Sequence, residues 1–95
     1  RAVEKIPPES KVAWFGLGKA YRGDGSFQEA ATTLERCIVV KPTYSAAYFA
    51  LAESLQKLKQ LDRCRQICDL GIEVSTKNGD AMVTKNLQAL KHSLG

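Results

Sequence analysis

Residues 11–44 read KVAWFGLGKAYRGDGSFQEAATTLERCIVVKPTY, and residues 45–78 read SAAYFALAESLQKLKQLDRCRQICDLGIEVSTKN. Laid one beneath the other at an offset of 34, they match at Ala13 and Ala47, Phe15 and Phe49, Leu17 and Leu51, Ile38 and Ile72, Val40 and Val74. Conservative pairs fall at the same offset: Trp14 with Tyr48, Gly18 with Ala52, Tyr21 with Leu55, Phe27 with Leu61, Leu34 with Cys68. Self-similarity at a fixed period of this size marks a repeat architecture, in which each unit buries its apolar face against its neighbour.

Within the first unit, Trp14, Leu17, Gly18 and Tyr21 form one helical stripe, and Phe27, Ala30, Leu34, Cys37 and Ile38 form a second. Each unit is therefore a pair of helices. Arg22 to Ser26 is a short polar turn, and Ser26 with Glu29 reads as a capping box opening the second helix. Pro42 ends that helix, Thr43 is placed to cap the next, Asn78 with Gly79 closes the fourth, and Asp80 caps a fifth. The spacing predicts helices over 9–23, 26–40, 43–58, 61–76 and 80–94.

The residues Trp14, Leu17, Gly18, Tyr21, Gly25, Phe27, Ala30 and Pro42 stand at the spacings of the tetratricopeptide repeat signature, and Tyr48, Leu51 and Ala52 begin a second copy. The chain thus resembles that family over 11–78, more strongly in the first unit. The second unit departs at Lys59, where a turn glycine is usual, at Cys64 and Gly71, where alanine is usual, and at Thr76, where proline is usual. The resemblance implies an all-α, right-handed solenoid of antiparallel helix pairs. It divides the 95-residue chain, read as one domain, into 11–44, 45–78 and a terminal segment 79–95. In that segment Lys85 and Asn86 break the repeat pattern, while Val83, Leu87, Leu90 and Leu94 make a single apolar seam, the design of a helix that caps a stacked array. Two units and a cap fall short of the roughly three repeats a stable solenoid usually needs, so a longer parent chain or self-association is expected. The first residue, Arg1 rather than Met, points the same way.

In this family ligands usually bind the concave surface lined by the first helix of each unit. The resemblance puts Val12, Phe15, Lys19 and Arg22 there from the first unit, and Phe49, Glu53, Gln56 and Lys57 from the second. Phe15 and Phe49 share one face and offer an apolar ladder to a helix or extended peptide, with the charged residues setting charge preference. The competing reading is that such aromatics are ordinary for the fold and partly covered by Val83 and Leu87 of the fifth helix. Chaperone-binding members of the family grip a C-terminal carboxylate with Lys and Asn pairs; here Phe15, Lys19 and Glu53 hold those places, so that clamp is absent.

Other chemistries lack their residues. Cys64 and Cys68 are four apart, but His92 is the sole histidine, and with Cys37 these cysteines fall in core positions, so no metal site is expected. Gly16 to Lys19 has Ala13 where a phosphate loop needs its first glycine and Ala20 where it needs Ser or Thr. No cofactor and no catalytic constellation follow, and the chain reads as a non-enzyme. Fourteen Lys plus Arg against ten Asp plus Glu give a mild net charge of +4, scattered along the chain, which argues against nucleic acid as partner. No run spans a bilayer and no leader is evident, so no membrane partner is expected; the unpaired cysteines point to a reducing, cytoplasmic setting.

The sequence therefore predicts a scaffold or adaptor that binds a peptide or helix of another protein in its concave groove. A self-associating structural piece of a larger assembly ranks second, and a nucleic-acid binder a remote third. The small residues Gly18, Ala30 and Ala52 let antiparallel helices approach, and Trp14 fills the space beside them. Gly18→Leu, by overpacking, and Trp14→Ala, by leaving a cavity, are each expected to cost about 3 kcal/mol or more, which thermal melting checks.

Overall fold

The computed structural model describes residues 10–94. Five helices follow one another: α1 (Lys11–Gly23), α2 (Phe27–Val40), α3 (Ser45–Lys57), α4 (Leu61–Asn78) and α5 (Ala81–Ser93). Each packs on the next, and α1 and α5 both also touch α3, so the chain stacks helix pairs into an all-α repeat fold. The expected start of the first helix at Glu9 lies outside the described residues.

The helix ends show how the repeat is punctuated. Ser10 caps α1 by accepting a 3.3 Å bond from the Ala13 N–H, and Gly79 ends α4 in the left-handed conformation at φ 76°. Three expected caps work differently. Ser26 sits at the N-cap of α2, but its hydroxyl makes no capping bond, so the capping box with Glu29 is not formed. Its backbone closes the turn instead, the Ser26 N–H reaching the Tyr21 carbonyl at 2.9 Å. Tyr44, not Thr43, holds the N-cap of α3, while the Thr43 carbonyl accepts from Asn78 Nδ2 at 2.6 Å and ties the loop before α3 to the end of α4. Asp80 is the N-cap of α5, yet its carboxylate accepts from the buried Ser45 hydroxyl at 2.5 Å. A buried hydroxyl without a partner is costly, and the strongest acceptor nearby goes to it rather than to the exposed N–H groups of the helix end.

The core follows the predicted stripes. Leu34, Leu51, Leu55 and Leu87 are fully buried, together with Ala30, Ala47 and Ala52, and Trp14 closes the first pair over Cys37 and Ala47. Two glycines set the closest approaches. A Cβ on Gly18 would lie 2.6 Å from the Leu34 side chain, and one on Gly71 would lie 2.7 Å from both Tyr48 Cβ and Leu87 Cδ1. The turns joining each pair place a left-handed residue at the same position: Gly25 has φ 81° and Lys59, its counterpart in the second unit, has φ 64°. The repeat thus forces a lysine into a backbone region that glycine occupies freely.

Two substitutions test this packing with opposite signs in urea unfolding. Lys59→Gly should stabilise by about 0.5 to 1 kcal/mol, because relief of the left-handed backbone exceeds the extra freedom glycine gives the unfolded chain. Gly71→Ala, which on an exposed helix face stabilises by about 1 kcal/mol, should here destabilise by roughly 1 to 3 kcal/mol, since Tyr48 Cβ cannot swing away.

Candidate functional site

The first helices of the two pairs, α1 and α3, lie side by side, and the cleft between them has a volume of about 340 Å³. From α1 it is lined by Phe15, Lys19 and Arg22, and from α3 by Ala46, Phe49, Ala50 and Glu53. Val83 of α5 forms the far wall. Helical spacing explains the gathering: residues three and four apart share a face, and the two faces are brought into register by the offset of 34.

Phe15 and Phe49 are both partly buried against the core, which holds their rings while leaving part of each to solvent. Phe15 is held further by Tyr44, whose ring stands edge-on to it at 77° with centroids 5.1 Å apart. The ammonium of Lys19 rests over the Phe15 ring, 5.2 Å from its centroid. Arg22 and Glu53 form an ion pair across the cleft, joining α1 to α3.

Of the expected groove residues, five (Phe15, Lys19, Arg22, Phe49 and Glu53) meet in this cleft, and three do not line it. Val12 stands 66% exposed one turn before Phe15, and Gln56 and Lys57 lie beyond Glu53 at the end of α3, with Lys57 exposed. The fifth helix divides its seam. Val83 reaches the cleft, whereas Leu87 is fully buried against Gly71 and Tyr48, so α5 borders the aromatics without lying over them through both residues. Val83 is 34 residues beyond Phe49, as Phe49 is beyond Phe15; the offset could have placed it in this line, whereas the sequence reading took it only as part of the covering seam of the fifth helix.

The cysteines are part of the packing. Cys37, Cys64 and Cys68 are completely buried, and Cys64 Sγ donates to the Ala52 carbonyl at 3.1 Å. Burial raises the Cys64 thiol above its usual range. Burial, reinforced by the neighbouring Cys64 and Asp69, pushes Cys68 up to about 12. Among the described residues no three His, Cys, Asp or Glu side chains gather as metal ligands, and no helix is long and apolar enough to cross a membrane. Gly16 to Lys19 lies inside α1, where backbone N–H groups are spent on the helix and cannot cradle a phosphate.

Comparison with known proteins places this geometry. The family model described as tetratricopeptide repeat matches residues 11–54. A TPR repeat-containing protein of Pseudomonas aeruginosa is 32% identical over 80 residues, which span 84% of this chain and 76% of the relative. The solution structure of a tetratricopeptide repeat domain protein from Salinibacter ruber superimposes with a TM-score of 0.83 at 21% identity, over 94% of this chain and 90% of that one. A protein of Bordetella parapertussis, also solved in solution, gives 0.81 at 30% identity, over 90% and 74% of the two chains.

The thiols yield a test in alkali. An unfolded thiol titrates near 9.0, while folded Cys68 keeps its proton to about 12, so between these values the folded chain binds more protons. Stability is therefore full below about pH 9 and falls as pH rises through this window. Urea midpoints measured across it should drop for the wild type and drop less steeply for Cys68→Ala. All three thiols should be silent to a disulfide reagent in the native protein and react once it is unfolded.

Proposed function

Because the chain belongs to the tetratricopeptide repeat family, whose domains are generally protein–protein interaction modules, we propose that it acts as a scaffold or adaptor holding a peptide or helix of a partner in the α1–α3 cleft. The observation that carries this reading is the line of Phe15, Phe49 and Val83, one side chain from each successive unit, along the cleft wall. Rigid, half-buried aromatic rings give a partner large apolar contact at little entropic cost, which is how binding hot spots work. Folds of this kind are typically non-catalytic.

The same reading assigns 11–44 and 45–78 as the two repeats and 79–95 as the segment that closes the stack. A further helix would have to pack on Met82, Lys85, Asn86 and Ala89, the places held in the first unit by Trp14, Leu17, Gly18 and Tyr21, and all four are exposed. Charged and amide side chains there disfavour another helix. The opposite end supports self-association as a second reading, since Val12 on α1 and Val39 on α2 stand 66% and 72% exposed.

An affinity pull-down from the source lysate, comparing wild type with a double variant Phe15→Glu, Phe49→Glu shown to be folded by circular dichroism, tests the groove. A partner retained by wild type and lost by the variant is the expected result. Equal retention by both would move binding elsewhere on the surface, and a mass that rises with concentration in place of any capture would favour self-association.

A further inference from the structure

We propose that the groove is selective for an acidic segment carrying one bulky apolar side chain, and that Lys19 is the residue that reads its charge. This rests on the groove reading above and specifies its partner. The cleft has an apolar lining of Phe15, Phe49 and Val83 with the small Ala46 and Ala50, so it accepts an aromatic or branched side chain. Its charges are not equivalent. Arg22 and Glu53 neutralise one another across the cleft, with side chains only 29% and 35% exposed, and hold α1 against α3. Lys19 is exposed, and among the described residues no carboxylate pairs with it.

The contact Lys19 does make fixes its place. Its ammonium lies on the Phe15 ring, at the border between the apolar floor and solvent, with its donors still open to an acceptor. A ligand side chain seated on Phe15 and Phe49 brings the neighbouring residues of its own segment within reach of that ammonium. A carboxylate there gains a charge-assisted hydrogen bond without displacing Glu53 from Arg22. Lys57, one turn beyond Glu53 on the same helix, exposed and among the described residues without a carboxylate partner, adds positive charge just past the end of the cleft. A basic segment meets only repulsion, because the single groove carboxylate is already engaged.

The test uses the full chain and three short synthetic peptides, followed by amide chemical shifts. One peptide has a central phenylalanine flanked by aspartate and glutamate, the second has lysine flanks, and the third has acidic flanks around a central alanine. The acidic phenylalanine peptide should shift the resonances of Phe15, Lys19 and Phe49 and bind about five- to tenfold more tightly than either of the others, an advantage lost at high salt. In Lys19→Glu, an exposed substitution that leaves the fold intact by circular dichroism, the preference for acidic over lysine flanks should vanish or invert. Equal binding of acidic and basic peptides, an unchanged preference in Lys19→Glu, shifts confined to another surface, or no binding by any peptide would each overturn the proposal. A natural partner lost on changing Phe15 and Phe49 but indifferent to Lys19→Glu would leave the groove standing and sink only the acidic selectivity.

Discussion

The fold depends on two places where a side chain is missing. At Gly18 the α1 backbone receives Leu34 of α2, and at Gly71 the α4 backbone receives Tyr48 of α3 and Leu87 of α5. A Cβ at either would fall inside contact distance, so these glycines set how near the helices come. Packed interiors tolerate little change of volume, and the spacing they impose passes on through the fully buried leucines. The alignment of Phe15 with Phe49 is a consequence: the two rings stand in one line because the helices bearing them are held at a fixed separation and phase.

The second unit is not a weaker copy of the first but a rebalanced one. Gly71 stands where the first unit has Cys37, and the missing volume is supplied by Leu87 from α5. In the first pair Cys37 fits between Trp14 and the small Ala47; in the second, a large side chain from the next helix meets a glycine. The glycine at this place and the orientation of α5 are thus two sides of one packing arrangement. To insert Leu87, the last helix turns its Val83, Leu87, Leu90, Leu94 seam inward, and Lys85 and Asn86 turn out with it.

The repeat period and the existence of every helix were legible in the sequence because both arise from apolar spacing, which local geometry enforces. The caps were less so. A serine or aspartate before a helix signals its start, but whether its oxygen caps depends on what else needs an acceptor, and for Asp80 the competitor was Ser45, 35 residues away. The site shows the same division. Face and offset sufficed to bring Phe15, Lys19, Arg22, Phe49 and Glu53 together, while Val12, Gln56 and Lys57 share the face only nominally, since the cleft is shorter than the helices that border it. The pairing of Arg22 with Glu53 follows from the stack rather than from either helix, so sequence reading treated as four independent charges what the structure divides into one pair and two single cations.

That division bears on how recognition and stability share one surface. An ion pair linking neighbouring helices at a groove rim is screened and contributes little by itself, yet it removes both members from the pool that greets a ligand. Charges that join helices and charges that read partners therefore compete for the same few positions on α1 and α3. In this chain the competition is settled by depth: Arg22 and Glu53, partly buried, face each other, while Lys19 is lifted over the Phe15 ring toward solvent. On the proposed reading the aromatic ring has two roles, offering apolar area to a ligand side chain and holding a cation ready over its ring. On that reading apolar area supplies the larger part of the binding energy, and one ammonium at its border decides which sequences receive it.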